Sequence, residues 1–190
     1  MRQYYLICVF SFFCLTFSFG QREETIFGVA GLDLTGAWGG PLTSITSFDG
    51  DNAFFRGGFG GLEFNRSLFV GWGGMTLEDE VEFDAAPGQK VGMKFNGLML
   101  GYAFKPNKVI HPSVNLHTGT GRITFEGEKD NIYVIQPSAG ININIFRWFH
   151  LNVEGGYRFV NGVDQDIFSD SDMSVFYGEL KFKFGWSWGY

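Results

Sequence analysis

Few side chains in this sequence have chemistry to offer, and they fall into three groups. The first is His111, His117 and His150, the groups that titrate nearest neutrality and could serve as a base for a nucleophile. No Gly-x-Ser-x-Gly elbow, His-Glu-x-x-His pair or phosphate loop accompanies them, so no catalytic motif supports an enzyme. The second group is a set of charges, Asp33, Glu63, Glu154, Arg158, Glu179, Lys181 and Lys183, whose opposite signs could pair on one face of a folded segment. The third is acidic: Glu78, Asp79, Glu80, Glu82 and Asp84; Glu126, Glu128 and Asp130; Asp164, Asp166, Asp170 and Asp172. Clustered carboxylates can attract divalent cations, but none of these runs has the spacing of a calcium-binding hand. They read as a solvated acidic rim, and neither a metal site nor a cofactor is expected.

The elements that must position these groups follow from composition and period. Of 190 residues, 45% are hydrophobic and 18% charged, the latter below the roughly 25% of average soluble domains. A net charge of −6 argues against a nucleic-acid partner, whose phosphates need a basic face. Residues 1–20 carry Arg2, an apolar run from Tyr4 to Phe19, and small Ser18 and Gly20 before Gln21. That is the pattern of a secretory signal peptide, with 21–190 as the mature domain. Cys8 and Cys14 both fall in this leader, so the remainder has no disulfide, thiol nucleophile or cysteine metal site.

Beyond residue 20 the apolar period is two. Leu180, Phe182, Phe184, Trp186, Trp188 and Tyr190 share one face of the last segment, opposite Glu179, Lys181, Lys183, Gly185, Ser187 and Gly189. Phe149, Leu151, Val153, Tyr157 and Phe159 oppose His150, Asn152, Glu154, Gly156 and Arg158. Tyr133, Ile135, Pro137, Ala139, Ile141, Ile143 and Ile145 oppose Gln136, Ser138, Gly140, Asn142 and Asn144. Less regular strands are expected over Ile26–Trp38, Ala53–Phe64, Leu68–Leu77, Met93–Phe104 and Ser113–Phe125, making eight. Several are long enough to cross a bilayer at a tilt, and only a closed barrel pairs every backbone amide there.

The expected fold is therefore all-β, an eight-stranded antiparallel up-and-down transmembrane β-barrel with both mature termini periplasmic. Short turns at Asn65–Ser67, Lys105–Ile110 and Phe146–Trp148 should alternate with external loops at Gly39–Asp51, Glu78–Lys90, Glu126–Asn131 and Asn161–Asp172. The seven charges above should point inward as a luminal plug, since eight strands leave room only for side chains. Pro137 cannot donate to a ladder, and a bulge there would accommodate it. A soluble sandwich is the competing fold, and extraction by carbonate without detergent would reveal it.

The final residues, Lys183, Gly185, Trp188 and Tyr190, resemble the C-terminal assembly signal of bacterial outer-membrane proteins, which implies recognition by the barrel-assembly machinery. Over nearly all of 22–190 the layout is similar to the small eight-stranded outer-membrane barrels, such as the OmpA transmembrane domain and OmpX. Pro137 with Gly140, Asn144, Arg147-Trp148 and Tyr157-Arg158 resembles barrels of the Bacteroidetes. These resemblances imply a non-enzymatic protein of the bacterial outer membrane. Its partners would be outer-membrane lipid and lipopolysaccharide, with host or cell-surface ligands reached through the loops. One alternative is a conduit for small apolar molecules lined by Phe27, Phe55, Phe59, Phe69 and Met75; another is a lipid A-modifying barrel enzyme.

Overall fold

The computed structural model describes residues 31–48, 51–78, 81–83, 86–125, 128–163, 170 and 173–188. Asp33–Tyr190 form one compact unit. The expected leader and Ile26–Ala30, like Phe27 and Tyr190, lie outside the described residues. Nine strands are present: β1 (Leu34–Phe48), β2 (Asp51–Phe64), β3 (Leu68–Leu77), β4 (Val81–Phe83), β5 (Ala86–Ala103), β6 (Ile110–Phe125), β7 (Glu128–Phe146), β8 (Phe149–Asn161) and β9 (Val175–Ser187). Every pairing is antiparallel between chain neighbours, β1 pairs β9, and β3 pairs β5. Eight strands thus close into a barrel, while β4 adds only a short ladder to the start of β5. Among the described residues those eight strands are each paired on both sides, the condition for strands in lipid.

The three expected short turns are present between β2 and β3, β5 and β6, and β7 and β8. The first is tight. Asn65 and Arg66 both have positive φ, 48° and 60°, the geometry whose twist suits a two-residue hairpin. Arg66 N–H donates to Thr35 Oγ1 at 2.7 Å, tying this turn to β1. The barrel therefore has a turn end, which also holds both ends of the strand series, and an opposite loop end.

Three expectations need correction. The first strand runs from Leu34 to Phe48 rather than Ile26 to Trp38, so Gly39–Asp51 is not a loop. Gly39-Gly40-Pro41 reads as a break, yet the chain passes through it extended. A side chain at Gly40 would collide with the Phe182 carbonyl, and Pro41 has no N–H. The β1–β9 ladder accordingly lapses between Gly39↔Phe184 and Leu42↔Lys181 without shifting register. Pro137 is accommodated in the same way, not by a bulge: the β7–β8 ladder lapses between Ile135↔Phe159 and Ser138↔Gly156 in unbroken register. The third correction concerns the loops. β7 begins at Glu128 and β5 at Ala86, so much of the expected Glu126–Asn131 and Glu78–Lys90 loops is strand.

The outer wall is apolar around its middle. Trp72, Ile135, Ile141, Ile145, Val153, Phe159, Phe184, Trp186 and Trp188 are all exposed, Trp72 at 58%. A sandwich would have turned these side chains into its core.

Candidate functional site

The enclosed lumen is where the charged residues meet, and it is layered. β7, β8 and β9 turn Gln136, Ser138, Asn142, Asn152, Glu154, Arg158, Glu179 and Lys181 inward, as alternation requires. At mid-height, cross-strand register sets Glu154 directly opposite Glu179. Like charges so placed repel. Lys181, one inward position further along β9, answers both: its Nζ lies 2.6 Å from Glu154 Oε1 and 3.0 Å from Glu179 Oε1. Glu154 also accepts from Asn115 Nδ2 at 2.5 Å and Ser138 Oγ at 3.0 Å, so both of its oxygens are hydrogen-bonded. Asn152 donates to Ser113 Oγ at 3.1 Å beside this cluster.

Arg158 is fully buried one layer towards the loop end. Its Nε and Nη2 lie 3.0 and 3.2 Å from the Gln136 amide, oriented with its oxygen towards them. The guanidinium lies 4.1 Å from the centre of the Phe55 ring and 5.4 Å from that of Phe95, which supply cation–π attraction where no carboxylate is in contact. Beyond it the interior is apolar. Phe48, Phe55, Met75, Val91, Phe95, Ile123, Phe125, Ile132, Val134, Val160 and Met173 form one buried cluster.

That apolar layer corrects the expectation of a polar interior throughout. Phe55 and Met75, two of the residues expected to line a conduit, belong to that buried cluster, and Phe59 and Phe69 pack against it. Long strands explain the inversion: at 18 and 19 residues, β5 and β7 far exceed the roughly ten that cross a bilayer, and their surplus folds as a soluble barrel would.

At the turn end the lumen opens into a vestibule of about 580 Å³ lined by Glu63, Arg66, Asn107, His111, His150 and Lys183 among others. Glu63 accepts from Ser187 Oγ at 2.6 Å, and a side chain at Gly36 would crowd the same carboxylate. Lys183 Nζ stands over the Trp38 and Phe69 rings at 5.9 and 5.8 Å. His150 stacks on Trp38 at 4.2 Å between ring centres. His111 Nδ1 lies 3.0 Å from the Lys108 carbonyl, and buried His117 Nε2 3.3 Å from that of Gly73. The three histidines are thus engaged with backbone and rings, His111 and His150 in the vestibule and His117 deeper in the barrel.

Of the seven charges read from sequence, Glu63, Glu154, Arg158, Glu179, Lys181 and Lys183 do face inward. Asp33 does not. It is exposed at the turn-end rim, where its N–H donates to Asn65 Oδ1 at 2.9 Å, because β1 begins after it. Gly185 faces inward against Trp38, and Trp188 is exposed at the turn-end edge. Asn115, not singled out above, shares the inward face of β6 with Ser113 and His117 opposite Val114 and Leu116, so parity alone could have placed it; Gln136 and Ser138 lie on a polar face already apparent. Among the acidic residues, Glu78 pairs with Arg56 at 2.7 Å, and Asp170 accepts from the Val163 amide at 2.9 Å, which organises its own loop.

A closed ring of eight antiparallel strands, with charged side chains meeting inside and an apolar outer wall, has the small outer-membrane β-barrel fold. Solved structures agree. The chain is similar to Neisserial surface protein A, at 13% identity and a TM-score of 0.59, covering 83% of this chain and 99% of that one. It is also similar to the N-terminal β-barrel domain of Pseudomonas aeruginosa OprF, at 12% identity and a TM-score of 0.56, covering 80% and 98%. Neither neighbour supports the Bacteroidetes resemblance. No family model and no curated protein sequence matches the chain.

Proposed function

We propose that the protein is a non-enzymatic integral barrel of the bacterial outer membrane, closed to flow by its luminal plug and acting through its external surface. The turn end faces the periplasm and the loop end the exterior, as short turns and long connections are distributed in this class. The supporting observation is the Glu154–Lys181–Glu179 triad, buried and hydrogen-bonded across the lumen, with an apolar layer stacked outside it. The inward carboxylates Glu63, Glu154 and Glu179 are matched in number by the inward cations Arg158, Lys181 and Lys183, so neither sign predominates in this set to favour one kind of ion. The reading extends to residues 1–20 as a secretory leader. It also takes Lys183, Gly185, Trp188 and Tyr190 as the signal read by the barrel-assembly machinery, and the acidic loops as the surface met by host or neighbouring-cell ligands.

Planar-bilayer recording tests the plug. The refolded protein should show no steady conductance above the bare membrane, while migrating as a heat-modifiable barrel. Stable unitary currents from such folded protein would overturn the plug and favour a conduit. An altered lipid A mass profile in cells making the protein would instead point to an enzyme.

A further inference from the structure

The outer wall of β3, β5, β6 and β7 changes character in three successive cross-strand rows. The row Trp72↔Leu98↔Thr118↔Ile135 is mostly apolar. Two residues further towards the loop end, Gly74↔Asn96↔Thr120↔Tyr133 is polar and uncharged, with the Tyr133 hydroxyl 2.7 Å from Thr118 Oγ1. Two residues beyond that, Arg56↔Thr76↔Lys94↔Arg122↔Asn131 carries three cations. Arg56 is answered by Glu78.

Lys94 and Arg122 are not answered. They are direct cross-strand partners, both exposed, and among the described residues no carboxylate lies within ion-pairing distance of either. Like charges directly opposite cost stability. Inside the barrel the equivalent repulsion between Glu154 and Glu179 is relieved by Lys181; outside, no described carboxylate plays that part. The surrounding groups are donors: Thr76, Asn96, Thr120 and Asn131 flank the pair in an open depression of about 870 Å³, where Gly57, Gly74 and Gly121 contribute no side chains. Four residues of a strand tilted near 40° rise about 10 Å, which puts the cationic row above the last apolar one at the depth of lipid headgroups, within reach of long side chains.

We infer that Lys94 and Arg122, with Thr120 and Asn131, form a binding site for the phosphate of an outer-leaflet glycolipid headgroup. The inference rests on the membrane reading above. Arginine offers its planar fork to one phosphate edge and lysine a point charge to another, so a single phosphate bridges the pair.

The test uses wild-type and K94A/R122A proteins folded into phosphatidylcholine nanodiscs, titrated with lipid A bearing its phosphates or enzymatically stripped of them. Wild type should bind phosphorylated lipid A about 30-fold more tightly than K94A/R122A, which is about 1 kcal/mol for each cation lost at an anionic surface. K94R should retain most of the binding, stripped lipid A should not discriminate the proteins, and raised salt should weaken wild-type binding of phosphorylated lipid A without any mutation. Equal binding by both proteins, or equal binding of both lipids by wild type, overturns the site. Full displacement by inorganic phosphate at millimolar concentration would assign it to a small anion instead. Failure of the membrane reading looks different: the wild type then yields no heat-shifted band in phosphatidylcholine bilayers.

Discussion

Replacing Lys181 with methionine removes one cation and leaves two carboxylates facing each other across β8 and β9. Side-chain exposure is 6% for Lys181, 1% for Glu154 and 3% for Glu179, so water cannot take over the lost role. Breaking one member out of such a buried set costs about 3–5 kcal/mol, because charge is left without compensation. The exposed Arg56–Glu78 pair, at 72% and 35%, belongs to the class that contributes at most about 1 kcal/mol. The triple variant K181M/E154Q/E179Q separates lost compensation from lost packing. It keeps the volume and the donors around Asn115 and Ser138 but carries no charge at the triad, so it should fall within about 1 kcal/mol of wild type. Urea unfolding in lipid vesicles, followed by tryptophan fluorescence and by loss of the heat-shifted gel band, measures all three proteins. A K181M loss below about 1 kcal/mol, or a triple variant as unstable as K181M, would refute the argument that register-imposed repulsion makes Lys181 necessary.

Two further substitutions test the wall with the same unfolding assay. A Cβ at Gly97 would fall on the Thr118 carbonyl and the Gly119 backbone, so G97V should cost about 3 kcal/mol, whereas G60A, with open space around the added methyl, should stay within about 1 kcal/mol; equal losses would mean the barrel tolerates strand separation there. Ile141 projects outward from the turn-end half of β7, and I141R should cost about 2–4 kcal/mol in vesicles; a harmless I141R would place that face in water.

The half of the barrel legible in the sequence is the half whose strands obey one rule along their length. β8 and β9 keep their charged and polar side chains on one face from His150 to Arg158 and from Glu179 to Ser187, so Glu154, Arg158, Glu179, Lys181 and Lys183 can be assigned inward by counting. Asp33 was misplaced because its parity was counted in a strand that starts one residue later and runs through Gly39-Gly40-Pro41, a tripeptide that usually ends one. Two partner strands explain that passage: Gly40 must let the Phe182 carbonyl approach, and nothing local records that requirement. The patterning of β2, β3, β5 and β6 looked weak for another reason. Its sense reverses partway: Leu98 points out and Gly97 in within the turn-end half of β5, but at mid-strand, four residues nearer the loop end, Lys94 points out and Phe95 in.

The reversal locates the solvent boundary more sharply than any single residue does. Alternation fixes only which side chains share a face; whether the apolar face turns outward depends on what lies outside the barrel at that height. Where lipid lies outside, the wall is greasy and the lumen must pair its own charges, as Lys181 does for Glu154 and Glu179. Where water and headgroups lie outside, the same strands turn Phe55, Met75, Phe95 and Val134 inward and Arg56, Lys94 and Arg122 outward. One continuous sheet thus presents an apolar outer band in one part and, further towards the loop end, a cationic row outside with a buried apolar cluster inside. The cations outside and the apolar cluster inside are therefore consequences of one feature, strands that continue past the apolar band.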